Sequence, residues 1–139
     1  MSYWLIKTEP TEYSFDTLRA DGETLWTGIR NYQARNNINA MQPGDGVFVY
    51  HSGDDKEIVG VARVKTLAEP DPTADGAGTW TAIRLEYVCP VGRPINLDEI
   101  KNTHGLAVMP LATQSRLSVQ PVTESQWNDL LKYTRTTLP

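Results

Sequence analysis

The side chains of this chain best suited to chemistry are crowded into Trp26-Thr-Gly-Ile-Arg-Asn-Tyr-Gln-Ala-Arg-Asn36. The stretch holds two aromatics, two arginines and two asparagines around a single glycine. Gly28 allows an unusual backbone angle or a close approach by a ligand. Asn31 can cap a helix that starts just after it, and Arg30 then stands at that helix's positive end. An indole and a guanidinium beside a helix N-terminus suit a polar, flat, partly anionic molecule. Taken without its context, the same stretch is a well-capped helix whose Trp and Tyr belong to the core.

Signatures of catalysis are sparse. The sequence has no Gly-x-Ser-x-Gly, His-Glu-x-x-His, phosphate loop or dinucleotide fingerprint. A lone cysteine, Cys89, precludes an intramolecular disulfide and a cysteine-built zinc site. Its position before Pro90 in an apolar strand describes an inert thiol rather than a nucleophile. His51 follows a buried strand and reads as a satisfied core histidine, and His104 has no chemical company. Neither metal nor cofactor is expected.

The elements that must position these residues fit one domain. At 139 residues, with 40% hydrophobic and 22% charged side chains, the chain is long enough to bury a single core. A net charge of −4 argues against a protein that grips long nucleic acid mainly through phosphates. It leaves room for a local basic patch and for a ligand read by shape and edges. No apolar run approaches the roughly 18 residues of a membrane span, and the N-terminus lacks the pattern of a signal peptide. The expectation is a soluble cytoplasmic protein.

Tyr3–Lys7 reads as a first strand, and Ser14 caps a short helix that stops near Gly22. A second helix runs from Tyr32 to Met41 with Ala34, Ile38 and Met41 on its apolar side. Gly46–His51 is a strand buried on both faces, paired as a hairpin with Ile58–Lys65. Residues 69–79 are expected to form a mobile surface loop. Trp80–Cys89 alternates as a strand that places Trp80 on its more polar face, beside that loop. A capped helix follows Asn96, a strand spans Leu117–Val122, and Thr123 and Gln126 form a capping box for a last helix. Trp4 and Trp127 are expected in the core. The pattern predicts an α+β domain over residues 1–133, its five or six strands forming a small, curved or closed barrel with short flanking helices, and a frayed tail at 134–139.

Six ordered motifs together resemble a family. They are Tyr3-Trp-Leu-Ile-Lys-Thr-Glu-Pro10, Tyr13-Ser-Phe15, Trp26–Asn36, Met41-Gln-Pro-Gly-Asp45, Tyr50-His-Ser52 and Ser115-Arg-Leu-Ser-Val-Gln-Pro-Val122. In order and spacing the chain resembles a stand-alone EVE domain, similar to the thymocyte nuclear protein group, from end to end. That resemblance implies a PUA-like β-barrel, related to YTH and ASCH domains. It also implies binding to nucleic acid that carries a modified base, most of all modified cytosine in DNA, without catalysis.

Holding one modified base requires an aromatic slot, hydrogen bonds to the base edge and a means of extruding the base. Under this reading Trp26 and Trp80 are the candidate walls, Asn31 and Ser52 read the edge, and Lys7 lies close by in its Lys-Thr-Glu-Pro motif. Arg30, Arg35 and Arg116 are candidates for the flanking phosphates. Each has a plainer role: core tryptophan, helix cap, solvated lysine or structural salt bridge. Two alternatives stay open. One is a hydrolase on a modified nucleoside working through Lys7, Thr8 and Glu9, although strand alternation turns Thr8 away from its neighbours. The other is an RNA-binding or interaction module with a vestigial pocket.

Overall fold

The computed structural model describes residues 1–76 and 78–139. Ala77, in the expected loop, lies outside the described residues. In chain order the elements are β1 (Tyr3–Thr8), α1 (Phe15–Asp21), β2 (Glu23–Trp26), α2 (Tyr32–Ala40), β3 (Gly46–His51) and β4 (Glu57–Val64). They continue as β5 (Glu69–Pro70), β6 (Thr81–Asn96), α3 (Leu97–Lys101), α4 (Pro110–Thr113), β7 (Val119–Val122) and α5 (Glu124–Tyr133). Side-chain caps set the helix starts: Ser14 accepts from Thr17 N, Asn31 from Ala34 N and Asn96 from Glu99 N. Thr123 and Gln126 close the expected capping box.

The strands form one seven-stranded sheet in the order β2-β6-β4-β3-β1-β7, with β5 paired to β6. β1 and β3 run parallel, and the other pairs are antiparallel. Both faces are covered, as the apolar runs require. Trp4, Ile6, Val47 and Val49 enter a core shared with α1 and α2, whereas Leu5, Phe48 and Tyr50 enter a second core with α3, α4 and α5. Both tryptophans expected inside are there: Trp4 and Trp127 are buried. The Trp4 indole N–H donates to Asp45 over 3.0 Å, which satisfies the one polar atom that its burial would strand.

The expected barrel is α+β and PUA-like, but its sheet is not closed. β2 and β7, at the ends of the strand order, do not pair with each other. Helix α2 packs against both β6 and β7 and occupies the seam where a closing strand pair would lie. One of its polar side chains takes up a strand carbonyl, and another bonds a side chain at the start of β6. Asn37 Nδ2 donates to the Val119 carbonyl over 2.7 Å, and Thr81 Oγ1 donates to Asn39 Oδ1 over 2.8 Å.

Other boundaries also shift. β2 belongs to the sheet, where Glu23–Trp26 pairs with Ile83–Glu86, although no strand was expected there. β6 continues through Pro90 to Asn96 instead of ending at Cys89, because Pro90 falls where the β4–β6 register slips, and a bulge tolerates proline. Of the tail expected to fray, Thr134 is fully buried, and its carbonyl accepts from Arg93 N over 2.6 Å. Thr136 Oγ1 accepts from Gly92 N over 3.1 Å.

Gly60 sits at the bulge in β4, where Val49 pairs with Gly60 but Tyr50 pairs with Ile58. A Cβ there would fall 2.1 Å from the buried ring of Phe15, so α1 rests directly on the glycine backbone. Gly60→Ala is expected to destabilise the protein by about 1–3 kcal/mol through overpacking. A denaturant midpoint unchanged from the parent would contradict this close approach.

Candidate functional site

Three chain segments meet at the seam end of the sheet. β2 delivers Trp26 opposite Ile83. The indole is 8% exposed, and the Tyr13 ring meets it edge-on with centroids 5.7 Å apart. The chain then turns at Gly28, whose φ of 84° lies in the left-handed region. A Cβ at Gly28 would meet nothing within 4 Å, so the glycine serves backbone angle rather than space. The turn brings Arg30, Asn31 and Tyr32 to the start of α2, each pointing to a different feature of the surface.

The first feature is a cavity of about 450 Å³, within the size range of small-molecule pockets. Trp26, Tyr13, Leu25 and Ile29 give it an apolar and aromatic lining. Lys7, Thr8, Glu9, Glu12, Thr24, Thr27, Gly28, Arg30 and Ser118 supply the polar part. Lys7, Arg30, Glu9 and Glu12 all contribute to the lining, but Arg30 is paired with Asp71 at 3.0 Å and the Glu9 carboxylate lies against Gly53. A lining without an excess of free cations suits an uncharged polar ring better than a phosphate. Burial lowers the pKa of Lys7, whose Nζ donates to the Ser115 carbonyl over 2.9 Å. Burial also raises the pKa of Tyr13, whose hydroxyl donates to Asp21 over 2.8 Å.

Of the residues expected to form the pocket, Lys7 and Trp26 line this cavity, and Arg30 joins them. Asn31 does not. It and Arg116 line a separate, shallower recess with Gln33, Thr113, Gln114, Ser115 and Leu117. Asn31 Oδ1 is committed to capping α2, 2.9 Å from Ala34 N. Ser52 also lies off the cavity, at the β3–β4 turn, where its N–H donates to the Thr8 carbonyl over 2.9 Å. Trp80 stacks instead on Tyr32, with centroids 4.9 Å apart, beside Arg30 and Arg35. Trp80 lies one residue before β6 instead of inside a strand, so alternation does not set its direction, and its ring packs on Tyr32 of α2.

Thr8, the last residue of β1 and still paired with His51, is also among the residues that line the cavity. Its hydroxyl donates to the Tyr13 carbonyl over 2.7 Å. His51 is satisfied, as expected: its Nε2 accepts from Phe15 N over 3.0 Å, which leaves Nδ1 to donate to Asp55. Among the described residues no three His, Cys, Asp or Glu side chains gather as a metal site would need. No helix of the described residues is long and apolar enough to cross a membrane.

Asp71 is the residue that sequence reasoning missed. It stands in the stretch expected to be a mobile loop, yet its side chain is fully buried. Its carboxylate accepts from Gly28 N at 2.8 Å, Arg30 Nη1 at 3.0 Å, Thr73 N at 2.7 Å and Thr73 Oγ1 at 2.6 Å. Burial alone would raise its pKa, but hydrogen bonds from Thr73, Gly28 and Arg30 outweigh that and hold it well below the usual carboxylate range. Asp71 thus ties the β5–β6 connection to the cavity rim. Tyr13 was visible within a motif but was given no role, and nothing local marks it as a wall.

Fold and site together define a class: a small, open-sheeted PUA-like domain with a cavity of aromatic and polar lining beside a helix N-terminus. The chain belongs to the EVE domain family, whose model matches residues 2–133. It is 32% identical to rat thymocyte nuclear protein 1 over 163 aligned positions, which cover 94% of this chain and 72% of that protein. The crystal structure of protein Atu2648 from Agrobacterium tumefaciens is similar to it throughout, with a TM-score of 0.96, 40% identity, and coverage of 100% of this chain and 97% of the other. Human THYN1, solved in complex with 5-methylcytosine-containing DNA, superposes with a TM-score of 0.90 at 30% identity, covering 99% of each chain.

Proposed function

We propose that this protein is a non-catalytic reader that takes one modified base of a nucleic acid, most favourably a modified cytosine in DNA, into the cavity beside Trp26. The observation that carries the reading is the lining itself. An indole and a phenol meet edge-on at one side, and charged groups of both signs face them. Such a slot offers stacking to any base and donors and acceptors to its edge. Glu12 is suited to accept from the exocyclic amino group of cytosine. The human relative's complex with methylated DNA supports the same class of ligand.

The division of labour changes from the one expected. Trp26 and Tyr13 wall the slot, Lys7 and Arg30 flank it, and Asn31 and Arg116 serve the neighbouring recess, where a strand backbone can pass. Lys7 links the two, since it lines the cavity while its Nζ reaches Ser115 of the recess. Ser52 keeps no direct role, and Arg35 and Trp80 lie further along the surface. The hydrolase alternative is disfavoured because the Lys7 ammonium and the Thr8 hydroxyl each donate to a backbone carbonyl. The expected cytoplasmic location remains part of the proposal.

A panel of otherwise identical oligonucleotides, each with one modified or unmodified cytosine or adenine, tests the reading. At least tenfold preference for one modified member is expected by fluorescence anisotropy, about 1.4 kcal/mol. Equal affinity for every member would sink it. Turnover of acylated or methylated nucleosides, followed by mass spectrometry, would favour the hydrolase instead.

A further inference from the structure

Next to the cavity the surface presents an aromatic group that base capture does not use. Tyr32, the first residue of α2, is 61% exposed. Its ring centroid lies 4.9 Å from that of Trp80, with the planes 30° apart. The Arg35 guanidinium is 4.9 Å from the phenol centroid and 6.0 Å from the indole. On opposite faces of the phenol, Trp80 and Arg35 would be much further apart than this, so they do not sandwich it. The ring is supported from one side, and much of it meets solvent.

The charges of this cluster are uneven. Arg30 is neutralised by Asp71, but among the described residues no carboxylate pairs with Arg35, whose guanidinium donates only to Asn36 Oδ1 and the Thr79 carbonyl. An open aromatic face with an unneutralised guanidinium beside it matches a nucleobase and its phosphate. Arg30 joins this cluster to the cavity: it lines the cavity, and its guanidinium lies 5.8 Å from the Trp80 ring. The two features are therefore neighbours, bridged by the one arginine side chain.

We propose that Tyr32, backed by Trp80, stacks a base of the DNA strand flanking the one held in the cavity, with Arg35 on the adjoining phosphate. The proposal rests on the modified-base reading but makes a separable claim, that this surface supplies affinity and the cavity supplies discrimination. The test measures binding of single-stranded oligonucleotides with and without the preferred modification to the parent, Tyr32→Ala, Tyr32→Phe and Tyr32→Leu proteins. Tyr32→Ala is expected to weaken both strands by a similar factor, on the order of tenfold, from the stacking of one base. Tyr32→Phe should restore the parent affinity. Tyr32→Leu, which keeps apolar bulk without a π face, should behave like alanine and replaces it if alanine unfolds.

Arg35→Gln should reduce the dependence of log affinity on log salt by about one phosphate contact. Unchanged affinity in Tyr32→Ala and Tyr32→Leu would overturn the proposal. So would a loss confined to the modified strand, which would make Tyr32 part of the cavity. If the parent binds both strands equally, base discrimination fails, while the effect of Tyr32→Ala on the unmodified strand still decides the stacking claim.

Discussion

Trp26→Ala is expected to lower stability by about 3–5 kcal/mol, the range for truncating a large aromatic side chain in a core. Whole domains are stable by only about 5–15 kcal/mol, so the variant would sit near the edge of folding. The reason is that Trp26 does two jobs. Its indole is 8% exposed within the core shared with α1 and α2, and it also lines the cavity. A binding assay on the alanine variant would therefore confound loss of the slot with loss of the fold. Trp26→Phe separates them, because it keeps most of the apolar volume and gives up the wider stacking surface.

The informative comparison is Trp127→Phe. Trp127 stacks on Tyr3 at 4.6 Å and meets the Phe48 ring at 4.4 Å with the planes 43° apart, in the second core and away from the cavity. Both phenylalanine variants should lose stability by urea titration. Only Trp26→Phe should reduce the preference for a modified oligonucleotide. If both variants reduced that preference equally, Trp26 would be acting through stability alone.

Asp71→Ala is expected to cost about 2–3 kcal/mol, because it leaves Gly28 N–H, Thr73 and the Arg30 guanidinium without their shared acceptor. It should also loosen the cavity rim, so oligonucleotide affinity should fall along with stability. The acid dependence carries its own signature. The folded-state pKa of Asp71 is depressed, so its contribution is fully present above the ordinary carboxylate pKa of about 4. It is lost as pH falls further, toward the depressed value, since the unfolded chain then binds a proton that the folded chain refuses. The stability gap between parent and Asp71→Ala should therefore narrow as pH drops below about 4. A gap that stays constant from neutral pH down to acid would mean that the charge of Asp71 contributes nothing.

What could be read from the sequence was local. Ser14, Asn31 and Thr123 each cap a helix through an N–H three residues ahead, so the signal and its partner share one short window. Burial of both faces of β3 follows from an unbroken apolar run, and the bulge at Gly60 from a glycine inside a strand. The open seam was not legible, because it depends on Asn37 meeting a carbonyl 82 residues away. Asp71 was hidden in the same way. Among Pro, Gly, Thr and Asp it reads as loop chemistry, and only the fold brings Gly28 N and Arg30 to its carboxylate.

The site residues divide along the same line. Trp26 and Lys7, picked out within their motifs, line the cavity, whereas Trp80 lies just before β6, where strand alternation gives no direction, and packs on Tyr32 instead. Tyr32 was passed over as a helix-start residue. The surface proposed for it rests on an indole from just before β6 and a guanidinium one helical turn along α2.

The gap in the sheet constrains how this protein can change over generations. In a closed barrel a ligand-holding helix is an accessory, and it can drift or be lost while the wall survives. Here α2 is a stave of the wall, with Ala34 and Ile38 fully buried while Tyr32 at its outer end meets solvent. Under the proposed reading, descendants that abandon the ligand would still keep the helix, because Ala34 and Ile38 on its inward side fill the core. Only the rim of the helix is free to diverge, and lineages with different targets should differ at Tyr32 and Arg35 while agreeing at Ala34 and Ile38.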